Sequence, residues 1–89
     1  MKSSITEEFR DAFARLPKNV QRQARKAYRI FQDTQNYPAL HFKKIHTLRE
    51  IYSIRITQNY RAISTIKDDE IIWFWIGSHA EYDKLLKNL

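Results

Sequence analysis

Three observations predict an α+β fold in which an N-terminal helical hairpin packs on a twisted antiparallel sheet of three to four strands and a short helix closes the chain. Apolar residues recur every three or four positions as far as Phe31, the spacing of a helix face. From His41 onward the period falls to two and Ile, Tyr, Trp and Thr become frequent, as in half-buried strands. The chain has 89 residues and no cysteine, enough for one core without disulfides but not for two cores. A single domain over residues 1–89 is the expectation.

Ser4 and Glu7 have the spacing of a capping box, and Ile5, Phe9, Ala12, Phe13 and Leu16 follow at helical intervals. The first helix is therefore expected from about Ile5 to Arg15. Pro17 suits the first turn of a second helix, whose apolar face reads Val20, Ala24, Ala27, Tyr28 and Phe31. Another face carries Lys18, Arg22, Arg25 and Arg29, for which a solvated surface is the simplest explanation. "QDTQNYPAL" ends this helix, because the residue before a proline prefers extended backbone.

"LHFKKIH", "IYSIRIT", "YRAISTIK" and "EIIWFWIG" read as strands, separated by "TLRE", "QN" and "DD". In the second, Tyr52, Ile54 and Ile56 share the face expected to bury against the helices, which leaves Arg55 on the exposed face. Trp73 and Trp75 are expected on one face of the last strand, packing in the core or at its rim. If Gln58 and Asn59 alone form the turn, Arg55 lies opposite Ala62 and Arg61 falls on the other side of the sheet. A three-residue loop or a bulge keeps the two arginines on one face. An unpaired arginine under the helices is costly, so the longer loop or the bulge is expected. The chain closes with "SHAEYDKLLKNL", a helix with Ser78 as N-cap and Leu85, Leu86 and Leu89 as anchors.

Sixteen Lys and Arg against ten Asp and Glu give a net charge of +6, which favours a polyanion or an acidic protein as partner. The longest apolar run, Ile71 to Gly77, is too short to cross a membrane. No apolar N-terminal stretch resembles a signal peptide, so a cytoplasmic location is expected, with no membrane partner. His41, His46 and His79 lack the paired spacing of zinc ligands; no metal and no cofactor are expected.

Gly77 is the only glycine, and glycine serves where a chain turns or approaches a neighbour closely. After it come Ser78, His79 and Tyr82. These three are either the capped first turn of a helix or the rim of a site, to which Lys43 or Lys44, Arg55 and Arg61 would add an exposed basic face. Residues three apart on a helix are neighbours, so His79 and Tyr82 can point at one spot. Such a set has the chemistry for cutting RNA without a metal. The ribose 2′-hydroxyl must lose a proton as it attacks phosphorus, and the departing 5′-oxygen must gain one. Histidine, with an unperturbed pKa of about 6.5, can serve either step. Arginine offers paired donors to phosphoryl oxygens as their charge grows.

"LPKNVQRQARKAYRIFQ", "LHFKKI", "YSIRITQNYRAI" and "WFWIGSHAEYDKLL" together resemble the RelE/ParE superfamily of toxins from bacterial type II toxin-antitoxin systems, over nearly the whole chain. The resemblance implies two helices on a twisted antiparallel sheet, as in small microbial ribonucleases. It implies a ribosome-dependent endoribonuclease that cleaves mRNA in the ribosomal A site and is neutralised by a cognate acidic antitoxin. Arg61 resembles the arginine that stabilises the phosphate, Arg55 the preceding strand arginine that positions RNA, and Lys43 and Lys44 the basic strand residues that hold its backbone. His79 matches a proton-transferring histidine, and Tyr82 lies near an aromatic that orients the nucleotide. The family's N-terminal strand is expected to be shortened to "MKSS", and no carboxylate base matches, although Glu50 and Glu81 are within reach in principle. The alternative within the superfamily is a ParE-like, non-enzymatic poison of DNA gyrase, for which His79 would be dispensable.

Overall fold

The computed structural model describes residues 2–89. Its elements are β1 (Lys2–Ile5), α1 (Glu7–Ala14), α2 (Lys18–Asp33), a 3-10 turn at Pro38–Leu40, β2 (Lys43–Lys44), β3 (Ile51–Thr57), β4 (Tyr60–Lys67), β5 (Glu70–Ser78) and α3 (His79–Leu86). One sheet of order β1-β5-β4-β3-β2 joins the strands. The α+β class and the helical hairpin agree with the sequence reading, but the sheet has five strands instead of three or four. It is also mixed, because β1 runs parallel to β5.

The extra strand comes from the segment "MKSS", expected to hold a shortened strand, of which Met1 lies outside the described residues. Lys2–Ile5 align with Glu70–Trp73 and cover an otherwise open edge of β5, where unpaired backbone groups would be a liability. Ile5 is thereby taken from the helix. Thr6, and not Ser4, caps α1 by accepting the Phe9 N–H at 3.1 Å, while the Ser4 hydroxyl donates across the strands to Glu70 Oε2 at 2.9 Å.

Gln21 fastens the helical hairpin. Its side chain is buried, and its Nε2 donates to the carbonyls of Phe13, Ala14 and Leu16 at 3.0–3.3 Å, tying α2 to the end of α1 and to the connection that follows it. The hairpin lies on one face of the sheet, where Ala27 and Phe31 pack with Ile54, Ala62, Ile71, Trp73 and Ile76. On the other face Ile51, Ile63 and Tyr82 form a second cluster, supported by Phe74, Trp75, Leu85 and Leu86. Leu85 and Leu86 anchor α3 as expected, whereas Leu89 is exposed.

Two bulges set the geometry of the sheet. In β5 the pairs Ile63–Trp75 and Ser64–Trp73 skip Phe74, so the side-chain alternation slips by one and the two tryptophans part. Trp73 packs under the helical hairpin and Trp75 under α3, which corrects their expected placement on one face. Strict alternation fails here because a bulge inserts one residue without a partner. In β3 the pairs Arg55–Arg61 and Thr57–Tyr60 skip Ile56. The turn is the two-residue Gln58–Asn59, and the bulge brings the arginines to one face. The β4–β5 turn has Asp68 and Asp69 both at positive φ, 51° and 62°, a conformation aspartate tolerates and tight hairpins favour.

Candidate active site

The face beneath α3 has a basic end at the β3–β4 turn. Arg55 and Arg61 are register partners there, and Arg61 is also the partner of Gly77. Like charges directly opposite each other on a sheet repel. Among the described residues the ion pairs are Lys44–Glu50 and His79–Asp83, so no carboxylate lies within pairing distance of either arginine. Burial and the neighbouring Arg55 cation both pull the Arg61 guanidinium below its ordinary value, with Tyr82 and Asp83 opposing them.

Arg61 is held rigidly. Its Nη1 donates to the carbonyls of Thr57, Gln58 and Tyr60 at 2.7, 3.2 and 3.0 Å. Its Nη2 and Nε make no hydrogen bond among the described residues. One edge of the fork is thus fixed to the turn, and the other has no partner among the described residues. A donor positioned in advance needs no reorganisation when charge develops on its partner.

The start of α3 is tied to the same turn, because the His79 backbone N–H donates to the Asn59 carbonyl at 2.7 Å. Ser78 is the N-cap, as expected. Its hydroxyl accepts the Glu81 N–H at 3.2 Å, and Glu81 Oε1 accepts the Ser78 N–H and hydroxyl at 3.1 and 2.9 Å. These contacts, the backbone N–H first, hold the Glu81 carboxyl below the usual range and occupy it in capping. Glu50 is likewise engaged, accepting from Tyr52 at 2.5 Å and Lys44 at 3.5 Å. The Tyr52 hydrogen bond is the main reason that its carboxyl also lies below the usual range.

His79 is exposed, and its Nδ1 stands 3.3 Å from Asp83 Oδ1, one helical turn on. This approach sets a carboxylate beside the imidazole. Asp83 is a feature the sequence reading passed over, although its spacing of four from His79 was the available signal. Tyr82 sits differently from His79. It is buried, with its hydroxyl 3.0 Å from Ser53 Oγ, and its ring supports the imidazole edge-on at 6.1 Å. The next ring inward is Trp75, at 6.3 Å.

The two lysines part across the sheet. Lys43 is the register partner of Ser53 and so shares the face of Arg55 and Arg61, whereas Lys44 pairs with Tyr52 on the opposite face. Of the remaining histidines, His41 is exposed. His46 shapes the β2–β3 loop by accepting the Leu48 and Arg49 N–H groups on Nδ1 at 3.0 and 3.1 Å.

A model of the ParE-like toxin domain matches residues 18–84, from α2 into α3. The chain belongs to the ParE-like toxin family. It is thus a RelE/ParE superfamily toxin of a toxin-antitoxin system, as the motifs suggested. No curated protein sequence matches it. Among solved structures, this ParE-like toxin is similar to a chain of the RelB-RelE antitoxin-toxin complex from Methanococcus jannaschii, at 18% identity over 91% of this chain and 95% of that one, with a TM-score of 0.72. YafQ from E. coli has a TM-score of 0.73 at 10% identity, covering 91% and 96% of the two chains. The isolated E. coli RelE toxin gives 0.67 at 15% identity over 99% and 98%. At these identities the likeness is one of fold. Among the described residues, no helix of the ParE-like toxin is long and apolar enough to cross a membrane.

Proposed function

We propose that this ParE-like toxin is a metal-independent endoribonuclease that cuts mRNA in the ribosomal A site and so stops translation in the cytoplasm. The observation that carries the reading is the pairing of Arg55 with Arg61 on one sheet face, unneutralised and tied through Asn59 to the start of the helix that bears His79. Two facing cations suit an anion that sits between them.

In the reaction the ribose 2′-oxygen attacks the adjacent phosphorus as its proton passes to a base. The bond to the 5′-oxygen breaks, and that oxygen takes a proton as it leaves. The products carry a 2′,3′-cyclic phosphate and a 5′-hydroxyl. Arg61 meets the phosphoryl oxygens with its free Nη2 and Nε donors, and Arg55 adds a second cation from across the ladder. His79 moves a proton at Nε2, with Asp83 orienting the ring from Nδ1. Lys43 holds the RNA backbone on the same face. Tyr82 acts from beneath, as the surface on which the imidazole rests.

The toxin's partner is an acidic antitoxin whose carboxylates meet these cations. The RelB-RelE complex among the similar folds supports a partner of that kind.

A second reading, the non-enzymatic gyrase poison, is supported by the ParE-like family description. Mapping mRNA 5′ ends after induction without antitoxin, in cells carrying the wild type or Arg61→Ala, separates the two. Cuts inside translated codons that vanish in the variant support the nuclease. Growth arrest with intact mRNA and supercoiling-deficient DNA would sink it and favour the poison.

A further inference from the structure

Helix α1 buries none of its residues fully, although Phe9 and Phe13 stand one turn apart on its apolar face and stack at 6.5 Å. A surface helix normally turns such a face to the core. Here the two rings line one wall of a cleft of about 360 Å³, with Ala24 and Tyr28 of α2 on the other. Ala24 keeps the gap open, because its side chain ends at Cβ. The floor is the sheet, where Ile54, Ala62, Trp73 and Ile76 are only 2–4% exposed. The volume falls within the range of about 300–1,000 Å³ usual for small-molecule sites, which are likewise apolar with a few placed polar groups.

The charged groups of this cleft are cations. Arg10 and Arg25 line it and are exposed, so they stand at its mouth, one on each helix. Arg25 reaches across from α2 to cover the Phe13 ring at 5.1 Å. Neither arginine has a carboxylate within pairing distance among the described residues, and no Asp or Glu lines the cleft. The sheet separates this mouth from Arg55, Arg61 and His79.

Width decides between occupants. A helix is about 10–12 Å across with its side chains and cannot descend to a floor so little exposed. A hydrocarbon chain is one methylene thick and fits between the walls. Its burial removes apolar surface from water, while a carboxylate at its end stays at the mouth, where guanidinium groups bind such an anion through paired hydrogen bonds.

We infer that this cleft binds a free, single-chain amphiphilic acid, with the alkyl chain between α1 and α2 and the carboxylate between Arg10 and Arg25. The inference stands apart from the proposed function, since no residue of the cleft belongs to that site.

The test is calorimetric titration of the ParE-like toxin with hexanoate, octanoate and decanoate below micelle formation, and with octanol as an uncharged counterpart. One molecule should bind per chain, with affinity rising about fourfold for each methylene added. In proton–nitrogen correlation spectra the Trp73 indole signal should move, while that of Trp75, beneath α3 on the other face, should stay. Arg10→Gln with Arg25→Gln should weaken octanoate binding about threefold to tenfold and leave octanol unaffected. Lys67→Gln with Lys87→Gln, which removes the same charge from exposed positions elsewhere, should alter neither. Ala24→Phe should fill the cleft and weaken both ligands by more than about tenfold; if circular dichroism shows it unfolded, Ala24→Leu serves instead. An affinity that does not grow with chain length would overturn the inference, as would a shift at Trp75 alone or equal losses from the two charge-removing pairs. So would a helical peptide of leucine and glutamate that moves the Trp73 signal where decanoate does not, which would mark the cleft as a protein surface.

Discussion

The indole of Trp75 lies against the α-carbon of Gly77. A Cβ added there would stand 2.8 and 2.9 Å from two ring carbons and 3.2 Å from Glu81 Oε1. The glycine is needed for this close approach, as its φ is not positive. Gly77→Ala should therefore force the indole or the α3 cap to move and cost about 1–3 kcal/mol. Thermal unfolding reads the loss, and the near-UV circular dichroism of Trp75 should change with it. An unaltered melting temperature would refute the packing argument.

The two arginines should respond in opposite senses. Arg61→Ala removes the donor that closes the turn, lowering stability by about 1 kcal/mol, and should lower RNA cleavage by about 10²–10³-fold. Arg55→Ala relieves a like-charge pair and should leave stability unchanged or raise it by a few tenths of a kcal/mol, while still weakening cleavage. Melting curves and cleavage rates on the same samples decide the matter. A large loss of stability in Arg55→Ala would show that the pair is not repulsive.

Asp83→Asn should reduce cleavage about tenfold by removing the carboxylate that orients His79, with little change in stability at so exposed a site. His79→Ala should cost more, within the hundred to ten-thousand-fold range of proton transfer. Nitrogen NMR of the imidazole distinguishes positioning from a structural role. The wild type should hold its proton on Nδ1, and Asp83→Asn should shift the tautomer toward Nε2. The same tautomer in both would remove Asp83 from the mechanism.

Tyr82→Phe should cost about 1–2 kcal/mol, because Ser53 Oγ is then left buried without its partner. The loss should exceed what remains when both groups are removed, and the double variant Tyr82→Phe, Ser53→Ala should recover part of it. Cleavage should follow the folded fraction. A folded Tyr82→Phe protein without activity would instead give the hydroxyl a direct part in the chemistry.

The Glu81 cap has a pH signature. Its carboxyl lies lower in the folded chain than the unfolded value of about 4.3, since the Ser78 groups favour the charged form. Its contribution is therefore complete above that value and is lost as pH falls through the lower folded one. Glu81→Gln should melt below wild type at neutral pH, and the gap should close in acid. Ser78→Ala, which removes the other half of the box, should cost about 1 kcal/mol at neutral pH. A gap that does not change with pH would contradict the assignment.

The sequence by itself determined the class of fold and the chemistry available at the site. Periods of 3.6 and 2 separate helices from strands because burial of one face is written into residue order. Ser78 is legible as a cap because capping is local, and Arg55, Arg61 and His79 stand out because few residue types can handle a phosphate and a proton. The tertiary structure decided whatever depends on counting across neighbouring strands. The bulge at Ile56 put the arginines face to face, and the one at Phe74 sent Trp73 and Trp75 to opposite layers. Alternation in one strand cannot reveal where its partner skips a residue. The strand Lys2–Ile5 needed the open edge of β5 to form. Tyr82 has the same helical spacing whether it faces solvent or Ser53; only the packing of α3 against the sheet turned it inward.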